Sequence, residues 1–189
     1  NGDFKGDLFI DCSGSSALLI GKHYQIPFIC KKDILFNDTA LAIQVPYQTN
    51  ECPIASHTVS TAQQVGWVWD IGLPTRRGVG YVYASDYISD TDAEKVLRDY
   101  LYKSLPADVI DDIPCRTLSF APGYREKFWH KNCVAVGMSA GFLEPLEASA
   151  LALVELSAKL ISKDLPCNQS IMEITASRFN KRFHYRWQR

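Results

Sequence analysis

The sequence predicts an α/β protein: a mixed sheet, interrupted by a long antiparallel β insertion and followed by helices. Three observations predict it. Residues 8–10 and 133–136 are short continuous apolar runs, the pattern of strands buried on both faces. Between them, residues 38–84 alternate apolar and polar with period two, the pattern of half-buried antiparallel strands. Two segments, opening at Ser89 and after Glu147, carry helical periodicity instead. With 189 residues, 47% of them hydrophobic, the chain has enough apolar surface for a sizeable core. Lys plus Arg number 20 and Asp plus Glu 21, so no global field steers nucleic acid or a membrane surface.

The elements follow in order. Asn1-Gly2-Asp3 reads as a tight turn leading into the first strand, 8–10. That strand ends in Ser13-Gly14, with a short helical turn expected over 15–20. A buried strand whose C-terminal end opens on such a turn is where open α/β sheets bind ligands, although a plain strand–turn reads equally well from these residues. Leu41, Ile43 and Val45 fall on one face of a strand over 38–47. Residues 65–71 and 79–84 form a hairpin around the turn-rich Gly72-Leu-Pro-Thr-Arg-Arg-Gly78. Trp67, Trp69 and Ile71 share one face of its first strand, Tyr81 and Tyr83 one face of its second.

Residues 89–103 form a helix. Ser89 and Asp92 have capping-box spacing, and Ala93, Val96, Leu97, Tyr100 and Leu101 recur on one face. Asp108, Asp111 and Asp112 mark a solvated loop, 115–120 a strand, and 123–130 a polar connection. The strand 133–136 then runs into the turn Gly137-Met138-Ser139-Ala140-Gly141, two acids at Glu144 and Glu147, and a helix over about 148–163 that is apolar nearly all round and therefore buried. Strand, glycine turn and helix start together suit an anion: the turn lets backbone approach a ligand, and the helix start offers unpaired N–H groups with partial positive charge. A last helix from about residue 169 places Met172, Ala176, Phe179 and Phe183 on one face.

The six cysteines show no CxxC pair and no histidine at metal spacing, so no metal site is expected. Cys12 and Cys133 sit in apolar runs as ordinary small core residues, which points to a reducing cytoplasm. No apolar run is long enough to span a membrane. The first residue is not methionine and the last helix meets Arg189 without a stop signal, so the chain is expected to be a single partial domain, 1–189, truncated at both ends.

The motifs add a resemblance. Gly66-Trp67-Val68-Trp69-Asp70-Ile71 resembles the Gly-Trp-x-Trp-x-Ile motif of the flavin-dependent tryptophan halogenases. Asp7-Leu-Phe-Ile-Asp-Cys-Ser-Gly14, Ala40-Leu-Ala-Ile-Gln-Val-Pro46, Gly80-Tyr-Val-Tyr83 and Gly141-Phe-Leu-Glu-Pro-Leu-Glu147 resemble segments of that family in the same order.

The resemblance implies an FAD-binding fold like that of flavoprotein monooxygenases. It implies a reaction in which reduced FAD, supplied by a separate flavin reductase, and O2 oxidise chloride or bromide to hypohalous acid, which halogenates tryptophan or an indole-like aromatic. By residue, Glu147 matches the catalytic glutamate; Ser13, Gly14, Gly137, Met138, Ser139, Ala140 and Gly141 match cofactor-binding segments; Ser149 and Ala150 match the halide-binding pair; and Trp67 and Trp69 match tryptophans that shield the flavin from the organic substrate. The implied partners are the aromatic small molecule and, through diffusing reduced FAD, the reductase; a homodimer is left open, and nucleic acid and membrane are not expected. The family commonly has Ser-Thr-Gly where this chain has Ala148-Ser149-Ala150, and the chain holds neither a Gly-x-Gly-x-x-Gly fingerprint nor a match to the family's catalytic lysine. The 189 residues are therefore expected to be inactive by themselves. A flavin-dependent aromatic hydroxylase and a non-catalytic FAD- or partner-binding member are the alternative readings.

Overall fold

The computed structural model describes residues 3, 5–49 and 51–188, with the Glu147 side chain excepted. The turn expected at Asn1-Gly2-Asp3 lies outside the described residues. In chain order the elements are β1 (Phe9–Asp11), β2 (Phe28–Cys30), β3 (Thr39–Pro46), β4 (Val59–Ala62), β5 (Trp67–Gly72), β6 (Arg76–Tyr83), α1 (Asp90–Tyr102), α2 (Ala107–Asp111), β7 (Arg116–Ser119), β8 (Gly123–Arg125), β9 (Trp129–His130), β10 (Cys133–Ala135), β11 (Gly141–Phe142), α3 (Ser149–Lys163) and α4 (Gln169–Trp187). They divide into two compact units, Asn1–Lys31 with Pro122–Arg189, and Lys32–Ala121, so the second is inserted in the first.

The inserted unit is a five-stranded antiparallel sheet in the order β4-β5-β6-β3-β7. The β5–β6 hairpin pairs Trp67 with Val82 and Trp69 with Gly80. Period-two alternation gives the sheet two apolar faces. Leu41, Ile43, Val45, Val68, Val79, Tyr81 and Tyr83 pack on Ala93, Leu97 and Leu101 of α1. Each fully buried large side chain of this kind is worth ~1.5–3 kcal/mol. Ser89 caps α1 as its spacing predicts, accepting from Asp92 N at 3.1 Å. Trp67 lies on the other face with Ala40 and Val82, and Trp69 and Phe120 pack beside them.

The first unit holds two three-stranded sheets, β1-β10-β9 and β11-β8-β2. β1 and β10 run parallel, Ile10 opposite Val134. Its core gathers Phe128, Trp129, Cys133, Val134, Phe179 and Phe183. The face expected on α4 is borne out: Met172, Ala176, Phe179 and Phe183 are all buried.

Five readings of the sequence need correction. Ile10 is 50% exposed, and β1 has one partner, β10, among the described residues; an apolar run shows the strand but not what covers it. For the same reason α3 is not buried all round. Leu151 is 80% exposed, and the helix buries only Ser157 and Ile161. Residues 123–130 are not a polar connection: they include β8 and β9, with Tyr124, Phe128 and Trp129 buried, because their rings pack tilted or edge-on against Trp187, Phe183 and Phe179 of α4. Asp108 and Asp111 belong to the short helix α2, held by the buried Ile110. Cys133 is buried, and burial pushes its thiol pKa up to about 12, whereas Cys12 is exposed.

Candidate functional site

The site is built from two glycine turns and a helix start, all in the first unit. β1 ends at Asp11, and the chain turns through Ser13 into a 3-10 turn, Gly14–Ser16, and a π-helical turn, Leu18–His23. β10 ends at Ala135, and a second 3-10 turn, Gly137–Ser139, leads into β11. The strands are parallel neighbours, so their C-terminal ends deliver the two turns side by side. This is the place where open α/β sheets receive ligands. Gly14 has φ +66 with nothing within 4 Å of where a Cβ would stand; the glycine is there for its backbone conformation and leaves open space beside the chain. Gly137 takes φ +70, with Val154 of α3 as its neighbour.

Hydrogen bonds fix both turns. Asp11, 2% exposed, accepts from Ser13 N at 3.0 Å and Ser13 Oγ at 2.5 Å on one carboxylate oxygen. On the other it accepts from Leu19 N at 2.9 Å and Ile20 N at 2.8 Å. Its main-chain oxygen accepts from Val136 N at 3.0 Å and from the hydroxyl of the fully buried Ser139. From the other side Arg125 N donates to Ala140 O at 2.7 Å, and its side chain reaches Ser139 O at 3.4 Å and Ile26 O at 3.0 Å. Burial, tempered by the charge of Asp11, holds the Arg125 pKa below its ordinary value. Sequence reasoning missed both residues. The signal for Asp11 was the Asp-x-Ser spacing at a strand end, which favours a side-chain–backbone turn; Arg125 carries no local signal.

After β11 comes a third short turn, Pro145–Glu147, and then α3. Ala148 stands before the helix in the left-handed conformation, φ 51, and gives it no side-chain cap. The first N–H groups of α3, those of Ser149 and Ala150 included, thus have no capping side chain on Ala148. Ser149 is half-buried, and Ala150 and Met138 are exposed. The first unit therefore sets the Gly14–Ser16 turn against the Gly137–Ser139 turn, and the latter against α3 at Val154; Glu147 closes the last turn before the helix. Trp67 and Trp69 belong to the inserted unit, their rings edge to face at 6.2 Å. Trp67 is 7% exposed, and Trp69 lies over Gly80, where a Cβ would overlap its ring. Among the described residues no group of three His, Cys, Asp or Glu could hold a metal, and no helix is long and apolar enough to cross a membrane.

Parallel strand ends carrying two glycine turns, with a helix start that lacks a side-chain cap, define an α/β protein of the open-sheet class. The family model for tryptophan halogenase matches residues 1–189, and the chain belongs to that family. It is 37% identical over 166 residues to 7-chloro-L-tryptophan 6-halogenase KtzR of Kutzneria sp. (strain 744), covering 88% of this chain and 31% of that protein. The crystal structure of a tryptophan halogenase from Shewanella frigidimarina NCIMB 400 superposes with a TM-score of 0.95 at 53% identity, over 100% of this chain and 35% of that one. Tar14, a tryptophan C-6 flavin-dependent halogenase (chlorinase) from taromycin biosynthesis, superposes at 0.87 with 39% identity, over 95% of this chain and 35% of that one. The chain thus spans about a third of the length of the relatives it matches.

Proposed function

We propose that the protein carrying this chain halogenates tryptophan or a closely related indole-like aromatic, using reduced FAD, O2 and chloride or bromide. The observation that carries this is the pairing of the Ser13–Gly14 and 137–141 turns, the second packed on α3, whose first turn has no side-chain cap. The space left open at Gly14 and the exposed backbone suit a planar cofactor, and the N–H groups of Ser149 and Ala150 suit a halide. Reduced FAD, arriving by diffusion from a separate flavin reductase, would supply the oxidising power together with O2 when bound. One halide ion, one proton, O2 and the two hydrogens of reduced FAD give hypohalous acid, water and oxidised FAD. Substitution on the aromatic ring then releases a second water.

The chain's own residues do the rest. Ser13, Gly14 and the 137–141 turn hold the flavin; Ser139 acts from within, its hydroxyl bracing the turn. Ser149 and Ala150 hold the halide through their backbone. Glu147 supplies the negative charge that stabilises the cationic ring intermediate. Trp67 and Trp69 keep the organic substrate off the flavin, so that halogenation replaces hydroxylation. The 189 residues hold no Gly-x-Gly-x-x-Gly loop and no matched catalytic lysine, so activity draws on other parts of the protein.

The test is an assay of the whole protein with a flavin reductase, tryptophan and each halide in turn. Halogenated tryptophan that disappears in Glu147→Gln, with FAD binding intact, supports the reading. A hydroxylated product formed without halide overturns it.

A further inference from the structure

The carboxylate of Asp11 has no part in the chemistry above, yet both turns of the site hang from this residue. Four donors converge on its two oxygens: Ser13 N and Ser13 Oγ on one, Leu19 N and Ile20 N on the other. Its carbonyl, on the same residue, holds Val136 N and Ser139 Oγ at the head of the second turn. Ser13 Oγ passes the constraint on by accepting from Leu18 N at 2.8 Å. One side chain and one carbonyl thus join the two turns, with Asp11 and Ser139 lying 128 positions apart in sequence.

Only an ionised carboxylate satisfies this set. Burial works against the charge, but the hydrogen bonds from Ser13 Oγ, Ile20 N, Ser13 N and Leu19 N outweigh it and hold the Asp11 pKa below the ordinary value. An amide has one acceptor oxygen. With its NH2 toward the first pair Asn would leave Ser13 N unpaired, and toward the second pair it would leave both Leu19 N and Ile20 N unpaired. The carbonyl arm is main chain and would remain, so the substitution would free the first turn while leaving the β1–β10 pairing in place.

We propose that Asp11 is a positioning residue for the flavin: its carboxylate sets the Ser13–Gly14 turn at the distance from the 137–141 turn at which both can engage one cofactor. The inference rests on reading these turns as flavin-binding.

The test uses the whole protein and titrates FAD at a temperature well below unfolding, alongside steady-state halogenation. Asp11→Asn is expected to raise the Kd for FAD at least about tenfold while the KM for tryptophan stays unchanged. Ser139→Ala, which removes the hydroxyl arm and leaves Asp11 in place, is expected to weaken FAD in the same direction by a smaller factor, and it serves if Asp11→Asn does not fold. Leu97→Ala, in the core of the inserted unit, should lower thermal stability and leave the FAD Kd unchanged. Wild-type affinity in Asp11→Asn, in Ser139→Ala where the first variant does not fold, or a loss of the same size in Leu97→Ala, overturns the positioning role alone. A wild-type protein that binds no FAD overturns the reading of the turns and this inference with it.

Discussion

Asn180 is bonded to Trp129 through both ends of its side-chain amide. Oδ1 accepts from Trp129 N at 2.9 Å and from Phe128 N at 2.8 Å, and Nδ2 donates to Trp129 O at 2.8 Å. One side chain of α4 thus stands in for a neighbouring strand along β9. Phe128 and Trp129 are fully buried, so those backbone groups have no water to fall back on. Asn180→Ala is expected to cost about 2–4 kcal/mol, from three bonds lost with their partners stranded. Asn180→Asp keeps the acceptor but sets a carboxylate oxygen against Trp129 O, and should cost at least as much. Urea unfolding of both variants checks the order.

What the sequence made legible and what it hid follow from the range of the interactions. α1 was readable because its cap and apolar stripe lie within one helix: Ser89 speaks to Asp92, and Ala93, Leu97 and Leu101 repeat at helical spacing. The β5–β6 hairpin was readable for the same reason, with a turn between two alternating runs. The two glycine turns were visible as motifs. The residues that hold them were not, because Asp11 reaches Ser139 and Arg125 reaches Ile26 across most of the chain. Burial misled in the same way. Leu151 and Ile10 are apolar, but apolarity alone does not name the neighbour that would cover them.

Within the tryptophan motif, Asp70 is turned toward α1 and away from the indoles. It is paired with Arg77, whose Nε donates at 3.0 Å, and it accepts from Tyr100 Oη at 3.1 Å. The Arg77 pKa is raised, first by its hydrogen bond to Asp70. The pair is mostly buried, so removing one partner strands a charge. Arg77→Met is expected to destabilise by about 2–4 kcal/mol, and Tyr100→Phe, which removes a neutral hydroxyl bonded to Asp70 and Thr61, by about 1 kcal/mol. Equal losses in chemical denaturation would mean that the ion pair contributes no more than the hydroxyl.

Gly80 is the seat of Trp69. The two residues are paired across β5 and β6, and a Cβ at Gly80 would overlap both the Trp69 ring and the Leu41 carbonyl. Either the indole or the strand must move. Gly80→Ala is expected to destabilise by about 2 kcal/mol or more, as overpacked sites do. It should also shift tryptophan fluorescence to the red as Trp69 is pushed out. A variant as stable as the parent with an unchanged spectrum would mean that the sheet absorbs the methyl without cost.

His130 gives the chain a pH dependence in the range where histidines titrate. It lies on β9 opposite Cys133, with the Tyr24 ring edge-on at 5.3 Å. Burial first, then the positive charges of Lys127 and Lys131, depress its pKa below the ordinary 6.5. The unfolded chain therefore takes up a proton near pH 6.5 while the folded chain still resists it. In that window the unfolded state binds more protons, so folding stability falls as pH falls, and it stops falling on this account once the pH is below the folded pKa. Above 6.5 both states are neutral at this site and the term vanishes. Urea midpoints measured from pH 7.5 down to 5.5 should decline in the parent. In His130→Gln, which keeps a polar side chain and cannot titrate, the decline should be shallower. An identical slope in the two proteins would assign the pH dependence to other groups.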